Sequence, residues 1–254
     1  MALTNLYNEH KERIDTAVLL LAAIILIGMF NSFFVIWLTL GVIYITAFKE
    51  ANALFGAENK DLYLGAGALW VAAAFYPKAD DLFLITALAG ASYYAYNPKM
   101  EWKNFLGFIY PTAGMLFMLT LYVDYGIYAI FWMLMIVAGA DVGAYVVGKS
   151  IGKTKFSETS PNKTLEGVFG GIAIATVLGF FVGLGMVDGL TAFFVSMAVA
   201  FVSVFGDLFE SFLKRRAGVK DSGTILPGHG GALDRIDGYL FGAVIMVVLL
   251  RGMI

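Results

Sequence analysis

Residues 127–150 read IYAIFWMLMIVAGADVGAYVVGKS, and the way this stretch folds decides the architecture of the chain. Its last eight residues, GAYVVGKS, match the phosphate-binding P-loop pattern G-x-x-x-x-G-K-S/T. A P-loop lies between a buried β-strand and a helix, whereas an apolar run precedes Gly143. The rest of the chain does not alternate strands with helices. We therefore interpret 127–150 as one apolar helix that ends at a membrane surface, and we reject the P-loop.

The composition extends this interpretation to the whole chain. Of its 254 residues, 60% are hydrophobic and 14% are charged, and the mean hydropathy is +0.80. Soluble domains average about 45–50% apolar and about 25% charged residues. We therefore predict an all-α polytopic integral membrane protein. The net charge of −2 provides no general positive field, so nucleic acid is not an expected partner. The chain has no cysteine, which excludes disulfides and thiolate metal sites.

Charge-poor segments recur along the chain and predict about nine transmembrane helices. They are residues 16–30, 33–48, 62–76, 82–96, 104–123, 126–147, 167–187, 189–213 and 238–254. The first two together would form a helix about 50 Å long at ~1.5 Å per residue, too long for one crossing. We therefore expect two short helices joined at Asn31-Ser32.

Positive charges are distributed unequally between the two sides of this arrangement. With nine spans, 15 of the 17 Lys and Arg residues fall on the N-terminal side, and only Lys78 and Arg251 fall on the other. Cytoplasmic loops carry the excess of Lys and Arg in membrane proteins. The N-terminus is therefore predicted in the cytoplasm and the C-terminus outside. Residues 1–15 are polar and contain no signal-peptide cleavage site, so we expect no removed leader.

Two helix faces carry acids inside the predicted spans. The first face holds Asp141, Tyr145 and Lys149, at positions i, i+4 and i+8. The second holds Asp207, Glu210, Ser211 and Lys214, at i, i+3, i+4 and i+7. Asp141 and Asp207 lie about 10–12 Å below the helix ends, where a charge costs at least ~2.5–3.5 kcal/mol. Two acids at similar depth favour a water-filled funnel open to the cytoplasm. Pairing with nearby lysines at the helix ends is the alternative.

Two cytoplasmic loops, 148–166 and 214–237, contain most of the remaining polar residues. The first carries four lysines, which could also serve to attract anionic lipid headgroups. The second holds nine ionisable residues among five glycines and a proline: Lys214, Arg215, Arg216, Lys220, Asp221, His229, Asp234, Arg235 and Asp237. Carboxylates bind Mg²⁺, while Lys, Arg and glycine backbone bind phosphates. We predict a phosphate and metal site. One of Asp234 and Asp237 could be an N-cap, and His229 could bind either metal or phosphate.

Residues 210–237, ESFLKRRAGVKDSGTILPGHGGALDRID, resemble the signature of the phosphatidate cytidylyltransferase (CDP-diacylglycerol synthase) family. The matching positions are Ser211, Lys214, Arg215, Lys220, Asp221, Pro227, Gly228, His229, Gly230, Gly231, Asp234, Arg235 and Asp237. Residues 141–149 and 160–167 also resemble family segments, with Val142 where the family often has Thr and Leu165 where it often has Trp. The resemblance covers residues 141–238.

The resemblance implies transfer of the cytidylyl group of CTP to phosphatidic acid, which yields CDP-diacylglycerol and pyrophosphate and requires Mg²⁺. The expected partners are CTP, phosphatidic acid and membrane lipids; a second cation such as K⁺ and a homodimer stay open. The compact length favours the plasma (inner) membrane of a bacterium, with the site facing the cytoplasm. We expect residues 1–125 to form N-terminal transmembrane helices, about five spans, and 126–254 to form the catalytic transmembrane region.

The same resemblance suggests roles for individual residues. Asp207 and Asp234 are the first expected metal ligands, with Asp141 and Asp221 next. Expected catalytic residues are Asp207, Asp234, Lys214, Arg215 and Lys220. Expected substrate-binding residues are Ser211, Lys163, His229, Arg235 and Lys149. A phosphate oxygen of phosphatidic acid would attack the α-phosphorus of CTP, and catalysis would come mainly from alignment and charge neutralisation.

Two other classes of function are considered. A secondary transporter of an anionic solute would also contain intramembrane acids, but it predicts an internal repeat, and the polar motifs occur only in the last 115 residues. Another CTP-dependent lipid enzyme, such as a polyprenol kinase or an archaeal ether-lipid cytidylyltransferase, would share the phosphate chemistry.

Overall fold

The computed structural model describes residues 2–57, 59–97 and 101–253, and for residues 2–14 and 17 the description covers the backbone. Within these ranges there are nine helices: α1 (Ala2–Phe30), α2 (Phe33–Phe55), α3 (Asp61–Phe75), α4 (Asp81–Tyr96), α5 (Lys103–Ile109), α6 (Thr112–Ile151), α7 (Leu165–Gly183), α8 (Gly189–Arg216) and α9 (Leu233–Met253). Two isolated β-bridges pair Lys155 with Thr164 and Leu226 with Gly230. Residue 254 of the predicted last span and residues 98–100 lie outside the described residues.

The all-α prediction is confirmed for the described residues. Five helical segments are long and apolar enough to cross a membrane: Phe33–Phe55, Lys103–Ile151, Leu165–Gly183, Gly189–Arg216 and Leu233–Met253. The octet 143–150 lies in the last turns of α6, so its reading as helix rather than P-loop is confirmed. Some polar residues are nevertheless buried within these helices, among them Thr176 of α7 and Ser196 of α8.

The break predicted at Asn31-Ser32 is confirmed, because α1 ends at Phe30 and α2 begins at Phe33. Asn31 has a φ of 38°, which ends α1 and turns the chain. The helix α1 extends beyond the predicted apolar span 16–30, since it begins at Ala2. Polar residues can occupy helical turns that hydropathy alone does not detect.

The predicted span 104–123 is wrong as a single helix, since α5 ends at Ile109 and α6 begins at Thr112. Pro111 has no N–H group to donate to a preceding carbonyl. Instead, Thr112 Oγ1 donates to the carbonyl oxygen of Gly107, at 2.7 Å. Farther along, α6 is interrupted at Gly126, whose φ of 79° and ψ of −177° are outside the helical region.

The two polar loops are shorter than predicted. The helix α6 continues to Ile151, α8 continues to Arg216 and α9 begins at Leu233. The connections are therefore residues 152–164 and 217–232 rather than 148–166 and 214–237. As a consequence, Lys149, Lys214 and Arg215 are on helix ends, and Asp234, Arg235 and Asp237 are in the first turns of α9.

Four charged residues contact one another at the end of α9 opposite the loop 217–232. We call them the Arg251 cluster: Lys78, Asp80, Asp124 and Arg251. Arg251 donates to both carboxylate oxygens of Asp80, at 2.5 and 2.9 Å. Lys78 Nζ lies 2.7 Å from Asp124 Oδ2. The helix α9 therefore runs from the loop 217–232 to the Arg251 cluster, and charged groups occur at both of its ends.

Two buried apolar clusters fill the space between these ends. One lies mainly among α2, α3 and α6 around Tyr44, Phe48 and Leu116, and it includes Leu213 and Leu233 beside the loop 217–232. The other lies among α6, α7, α8 and α9, and its members include Trp132, Ile136, Val199 and Met246. The prediction of separate regions 1–125 and 126–254 stays a prediction.

Candidate active site

The polar site is assembled at the ends of α2, α6, α8 and α9 and from the loops 152–164 and 217–232. The loop 152–164 is fixed to α7 by Glu166, which accepts hydrogen bonds from the backbone N–H groups of Lys153 and Thr154 and from Thr154 Oγ1. Its far side is closed by a hydrogen bond of 2.9 Å from the Phe156 N–H to the Lys163 carbonyl. These contacts hold Lys163 in place over α8.

Lys163 forms an ion pair with Asp207, and both side chains are about three-quarters buried. Ser211, one turn farther along α8, lies with its Oγ 3.3 Å from the other oxygen of Asp207. The sequence predicted Lys163 and Ser211 as substrate-binding residues and Asp207 as a metal ligand. The structure brings these three residues together, although Lys163 and Asp207 are 44 positions apart.

Lys214 is held between two carboxylates from different helices. Its Nζ lies 2.6 Å from Glu210 Oε2 on α8 and 2.6 Å from Asp234 Oδ1 on α9. The Lys214 side chain is 12% exposed, that of Glu210 0% and that of Asp234 4%. An ammonium group has three N–H donors, so one remains for a phosphate oxygen. Lys214 can therefore take the predicted part in phosphate binding through one remaining N–H donor, and not through all three donors as an unpaired lysine would.

Asp234 accepts hydrogen bonds from four donors within the described residues. They are Lys214 Nζ at 2.6 Å, Ser222 N–H at 2.9 Å, Ser222 Oγ at 2.9 Å and Gly231 N–H at 2.8 Å. Asp234 is the second residue of α9, so the N-cap interpretation of this residue is wrong. Its carboxylate instead reaches back and fixes the loop that precedes the helix. Its role as a metal ligand stays a prediction.

The acids of three helices converge near Asp207. Asp141 of α6 interacts electrostatically with Lys163, Asp207 and Arg235, among other groups. The charged groups that act on Asp237 of α9 include Asp207, Glu210 and Asp141. The close approach of α8 and α9 causes part of this convergence, because a Cβ on Gly206 would lie only 2.4 Å from the Asp237 carbonyl oxygen. A third carboxylate, that of Asp237, therefore accompanies Asp141 and Asp207, and the water-filled funnel stays a prediction.

The carboxylates fit a magnesium ion if the phosphates of a substrate complete its shell. Among the described residues, no group of three or more Asp, Glu, His or Cys side chains is close enough to hold one ion. Mg²⁺ commonly uses only one or two protein carboxylates and takes its other ligands from water and phosphate oxygens. Asp207 and Asp237, on neighbouring turns of α8 and α9, are a pair of this kind. A bound Mg²⁺ would add positive charge to that of Lys163, which already pairs with Asp207.

A cavity of about 580 Å³ lies against the loop 217–232 and the first turn of α9. It is lined by Lys220, Asp221, Gly223, Thr224, Leu226, Pro227, Gly228, His229, Gly230 and Arg235. A tight turn forms one wall, with a 2.9 Å hydrogen bond from Leu226 N–H to the Gly230 carbonyl and positive φ at Gly228 and Gly230. The volume is within the range of about 300–1,000 Å³ of small-molecule sites. Cationic side chains and glycine backbone in its wall suit a polyphosphate.

Two of the predicted residues are set apart from this cluster. Lys149 lies over the Tyr145 ring, 5.7 Å from its centroid, which confirms that these two residues share a helix face. Arg215 donates to the Val219 carbonyl oxygen, at 3.2 Å. Within the described ranges, neither residue forms an ion pair with the acids of the site. Their roles stay predictions.

The sequence predicted no catalytic, substrate-binding or metal-binding role for three residues of this site. Glu210 and Asp237 were visible as members of the α8 face and of the second polar loop. Glu50 of α2 carried no local signal, because its contacts are with residues more than 170 positions away. Only the packing of α2 against the start of α9 reveals it.

Comparison with known proteins identifies the family. The model of the cytidylyltransferase family matches residues 11–253. A phosphatidate cytidylyltransferase of Helicobacter pylori strain J99 is 46% identical over 245 residues, which are 95% of this chain and 92% of that protein. The phosphatidate cytidylyltransferase of Thermotoga maritima is 39% identical over 168 residues, which are 61% of this chain and 62% of that protein. That of Bacillus subtilis is 50% identical over 122 residues, which are 46% of this chain and 45% of that protein. The chain therefore belongs to the cytidylyltransferase family.

Proposed function

We propose that this protein transfers the cytidylyl group of CTP to phosphatidic acid and releases pyrophosphate. The observation that carries the proposal is the 46% identity to a phosphatidate cytidylyltransferase over 95% of the chain. The arrangement of the site supports it, since Lys220, Asp221, Arg235 and a glycine-rich loop line a cavity at one end of apolar helices. The reported relatives are named for this activity and not for solute transport or for a kinase reaction.

In this reaction an anionic phosphate oxygen of phosphatidic acid attacks the α-phosphorus of CTP. The bond between the α-phosphorus and the bridging oxygen breaks, and pyrophosphate leaves with that oxygen. Since the attacking oxygen is already anionic, the protein needs to align the two phosphates and neutralise their charge. The side chains of Lys220 and Arg235, which line the cavity, serve this purpose, and Lys214 contributes its remaining N–H donor.

Mg²⁺, when bound, would neutralise negative charge on the phosphates of CTP. Asp207 is the carboxylate best suited to hold it, together with Asp237, and Asp141 stays a candidate ligand. Asp221 lines the cavity and stays a candidate ligand, whereas the oxygens of Asp234 already accept four hydrogen bonds. The ion pair between Lys163 and Asp207 would open to admit the metal, and Lys163 would then be free to bind a phosphate.

We also propose that the chain makes nine passes through a bacterial inner membrane, with its N-terminus and active site on the cytoplasmic side. The distribution of Lys and Arg supports this orientation, as do the bacterial relatives. Because the chain lacks cysteine, a single cysteine at Thr224 or Val187 can report its side. A membrane-impermeant maleimide should label Thr224→Cys only in inverted membrane vesicles and Val187→Cys only in intact cells. The reverse labelling pattern contradicts the orientation.

The function is tested with purified protein in liposomes that contain phosphatidic acid, Mg²⁺ and CTP labelled at either the α- or the γ-phosphate. We expect the α-label in the chloroform-soluble product, the γ-label in pyrophosphate, and neither transfer after addition of EDTA. A γ-label in the lipid would instead indicate a kinase. If phosphatidic acid accepts no label but an archaeal ether-lipid precursor does, the substrate assignment is wrong.

Omission of K⁺ tests the second cation, and the protein's mass in detergent tests the homodimer.

A further inference from the structure

Glu50 is a buried carboxylate of α2 that contacts the start of α9. Its side chain is 8% exposed, and within the described residues it forms no ion pair with Lys or Arg. Its Oε2 accepts a hydrogen bond of 2.7 Å from the Leu233 N–H, and its Oε1 accepts one of 3.1 Å from the Ala232 N–H. The first N–H groups of a helix have no partner within that helix. Glu50 therefore caps α9 from another helix, where a negative charge also interacts favourably with the helix dipole.

The same carboxylate and that of Asp234 hold the loop before α9 from two sides. Ser222 Oγ lies 2.9 Å from Asp234 Oδ2 and 3.1 Å from Glu50 Oε2, and its single proton serves one of them at a time. Asp234 also accepts from the Gly231 N–H, at 2.8 Å, while Glu50 accepts from the two amides that follow. Residues 222–233 are therefore fixed at both ends by two acids from different helices.

Two glycines make room for Glu50. A Cβ on Gly223 would lie 2.3 Å from Glu50 Oε1, and a Cβ on Gly231 would lie 2.5 Å from Oε2. Real Cβ atoms do not come so close, so a side chain at either position would displace the carboxylate. The loop thus combines two side-chain-free positions, two amide donors and one hydroxyl around a single acid.

We propose that Glu50 is a positioning residue for cytidylyl transfer. It sets the conformation of residues 222–233 and, through them, the wall of the CTP cavity that contains His229 and the first turn of α9 with Arg235. Glu50 itself does not touch the substrate. The proposal rests on the function proposed above. Because Glu50 is on α2, outside the family signature in residues 141–238, the proposal gives an N-terminal helix a part in shaping the site.

The test compares Glu50→Ala and Glu50→Gln with Lys49→Ala, an exposed neighbour on the same helix. We expect Glu50→Ala to lower kcat/KM for CTP by about 10- to 100-fold, because small misplacements of binding groups have effects of this size. Most of the loss should appear as a higher KM for CTP, with KM for phosphatidic acid little changed. A glutamine retains one acceptor oxygen and should recover most of the activity. A merely structural defect would reduce the amount of active enzyme, and hence kcat, without changing KM.

Hydrogen exchange provides a readout that is independent of activity. In Glu50→Ala, peptides that contain the amides of Ala232 and Leu233 should exchange at least about tenfold faster than in the wild type. If the wild type transfers no label to lipid, the proposed function fails, but the exchange result still decides whether Glu50 holds the loop.

Three outcomes would overturn the inference. Folded Glu50→Ala could have the wild-type KM for CTP, or the amides of Ala232 and Leu233 in that variant could exchange as in the wild type. The third outcome is a Glu50→Gln protein that loses activity while its hydrogen exchange stays normal. The last would mean that the charge acts directly. If Glu50→Ala does not fold, Gly223→Ala displaces the carboxylate without removing it, because the three atoms nearest to the new Cβ all belong to Glu50. Faster exchange with a higher KM is then expected, and wild-type values for both would overturn the proposal.

Discussion

Lys214 Nζ lies 2.6 Å from Glu210 Oε2 and 2.6 Å from Asp234 Oδ1, so one ammonium group joins α8 to α9 at the active site. Both carboxylates are almost completely buried. In such surroundings, removing one partner leaves an uncompensated buried charge, which is more harmful than the lost attraction alone. The site is therefore held together by the same charges that are expected to meet the phosphates.

Replacing Lys214 with Met should destabilise the protein by about 3–5 kcal/mol, the usual effect of breaking a buried ion pair. We expect a lower apparent Tm in detergent together with loss of cytidylyl transfer. Arg216→Met, at an exposed position of the same helix end, is the matched control. Adding Glu210→Gln to Lys214→Met should raise the Tm again, because it removes one of the two unpaired charges. A Tm that falls further would show that Glu210 is not stabilised by Lys214.

Replacing Asp207 with Asn should lower kcat/KM by about 100-fold or more, a loss typical of removing one group that stabilises developing charge. The variant should also need a higher Mg²⁺ concentration for half-maximal activity, because a carboxamide binds the ion less well than a carboxylate. The check is a Mg²⁺ titration of product formation, with the exposed Glu158→Gln as the control. Turnover within about threefold of the wild type, with an unchanged Mg²⁺ requirement, contradicts the assignment of Asp207 as a ligand.

Replacing Gly206 with Ala should separate α8 from α9, because the new Cβ would lie 2.4 Å from the Asp237 carbonyl oxygen. Overpacking of this kind costs about 1–3 kcal/mol, and here it also moves Asp207 away from Asp237. We therefore expect loss of activity beyond the change in Tm, with weaker Mg²⁺ binding and hence a higher Mg²⁺ concentration for half-maximal activity. The control is Gly67→Ala on α3, where a Cβ would meet no atom within 4 Å. Equal activities of the two variants would show that this helix contact does not control the site.

The Arg251 cluster predicts a pH-dependent stability at the other end of the molecule. Burial raises the pKa of Asp80, but hydrogen bonds from Arg251 and Thr120 outweigh it and hold that pKa below the ordinary value of 3.8. A carboxyl whose pKa is lowered on folding contributes stability that is present above its ordinary pKa and is lost as the pH falls through the lower, folded value. Asp80→Asn should therefore lower the Tm at pH 7.

The same variant should approach the wild type in stability as the pH is lowered below 3.8. Thermal scans of both proteins between neutral and acid pH measure this convergence. A constant difference in Tm over the whole range would indicate that Asp80 acts through packing and not through its charge. Cytidylyl transfer at pH 7 should be equal per folded molecule, since Asp80 is at the end of α9 opposite the active site.

Much of the architecture could be predicted because it depends on local features. The apolar runs specify helices wherever they occur, so the break at Asn31-Ser32 and the helical state of 143–150 followed directly. The phosphate chemistry could be predicted from residues 210–237 because residue types at fixed spacing are a property of the chain itself. Helix ends were less accurate: α1 and α9 begin before their apolar runs, since a polar turn can stay helical in water or beside other polar groups.

The sequence by itself determined the helical membrane class, the family signature and the charged residues that carry the chemistry. The tertiary structure alone decided how those charges pair: Lys163 with Asp207, Lys214 with both Glu210 and Asp234, and Glu50 with the start of α9. The physical reason is separation along the chain, because Glu50 and Leu233 are 183 residues apart. Hydropathy and spacing describe one helix at a time. A contact between helices depends on how closely their backbones pack, which glycines such as Gly206 and Gly231 permit only where another helix arrives.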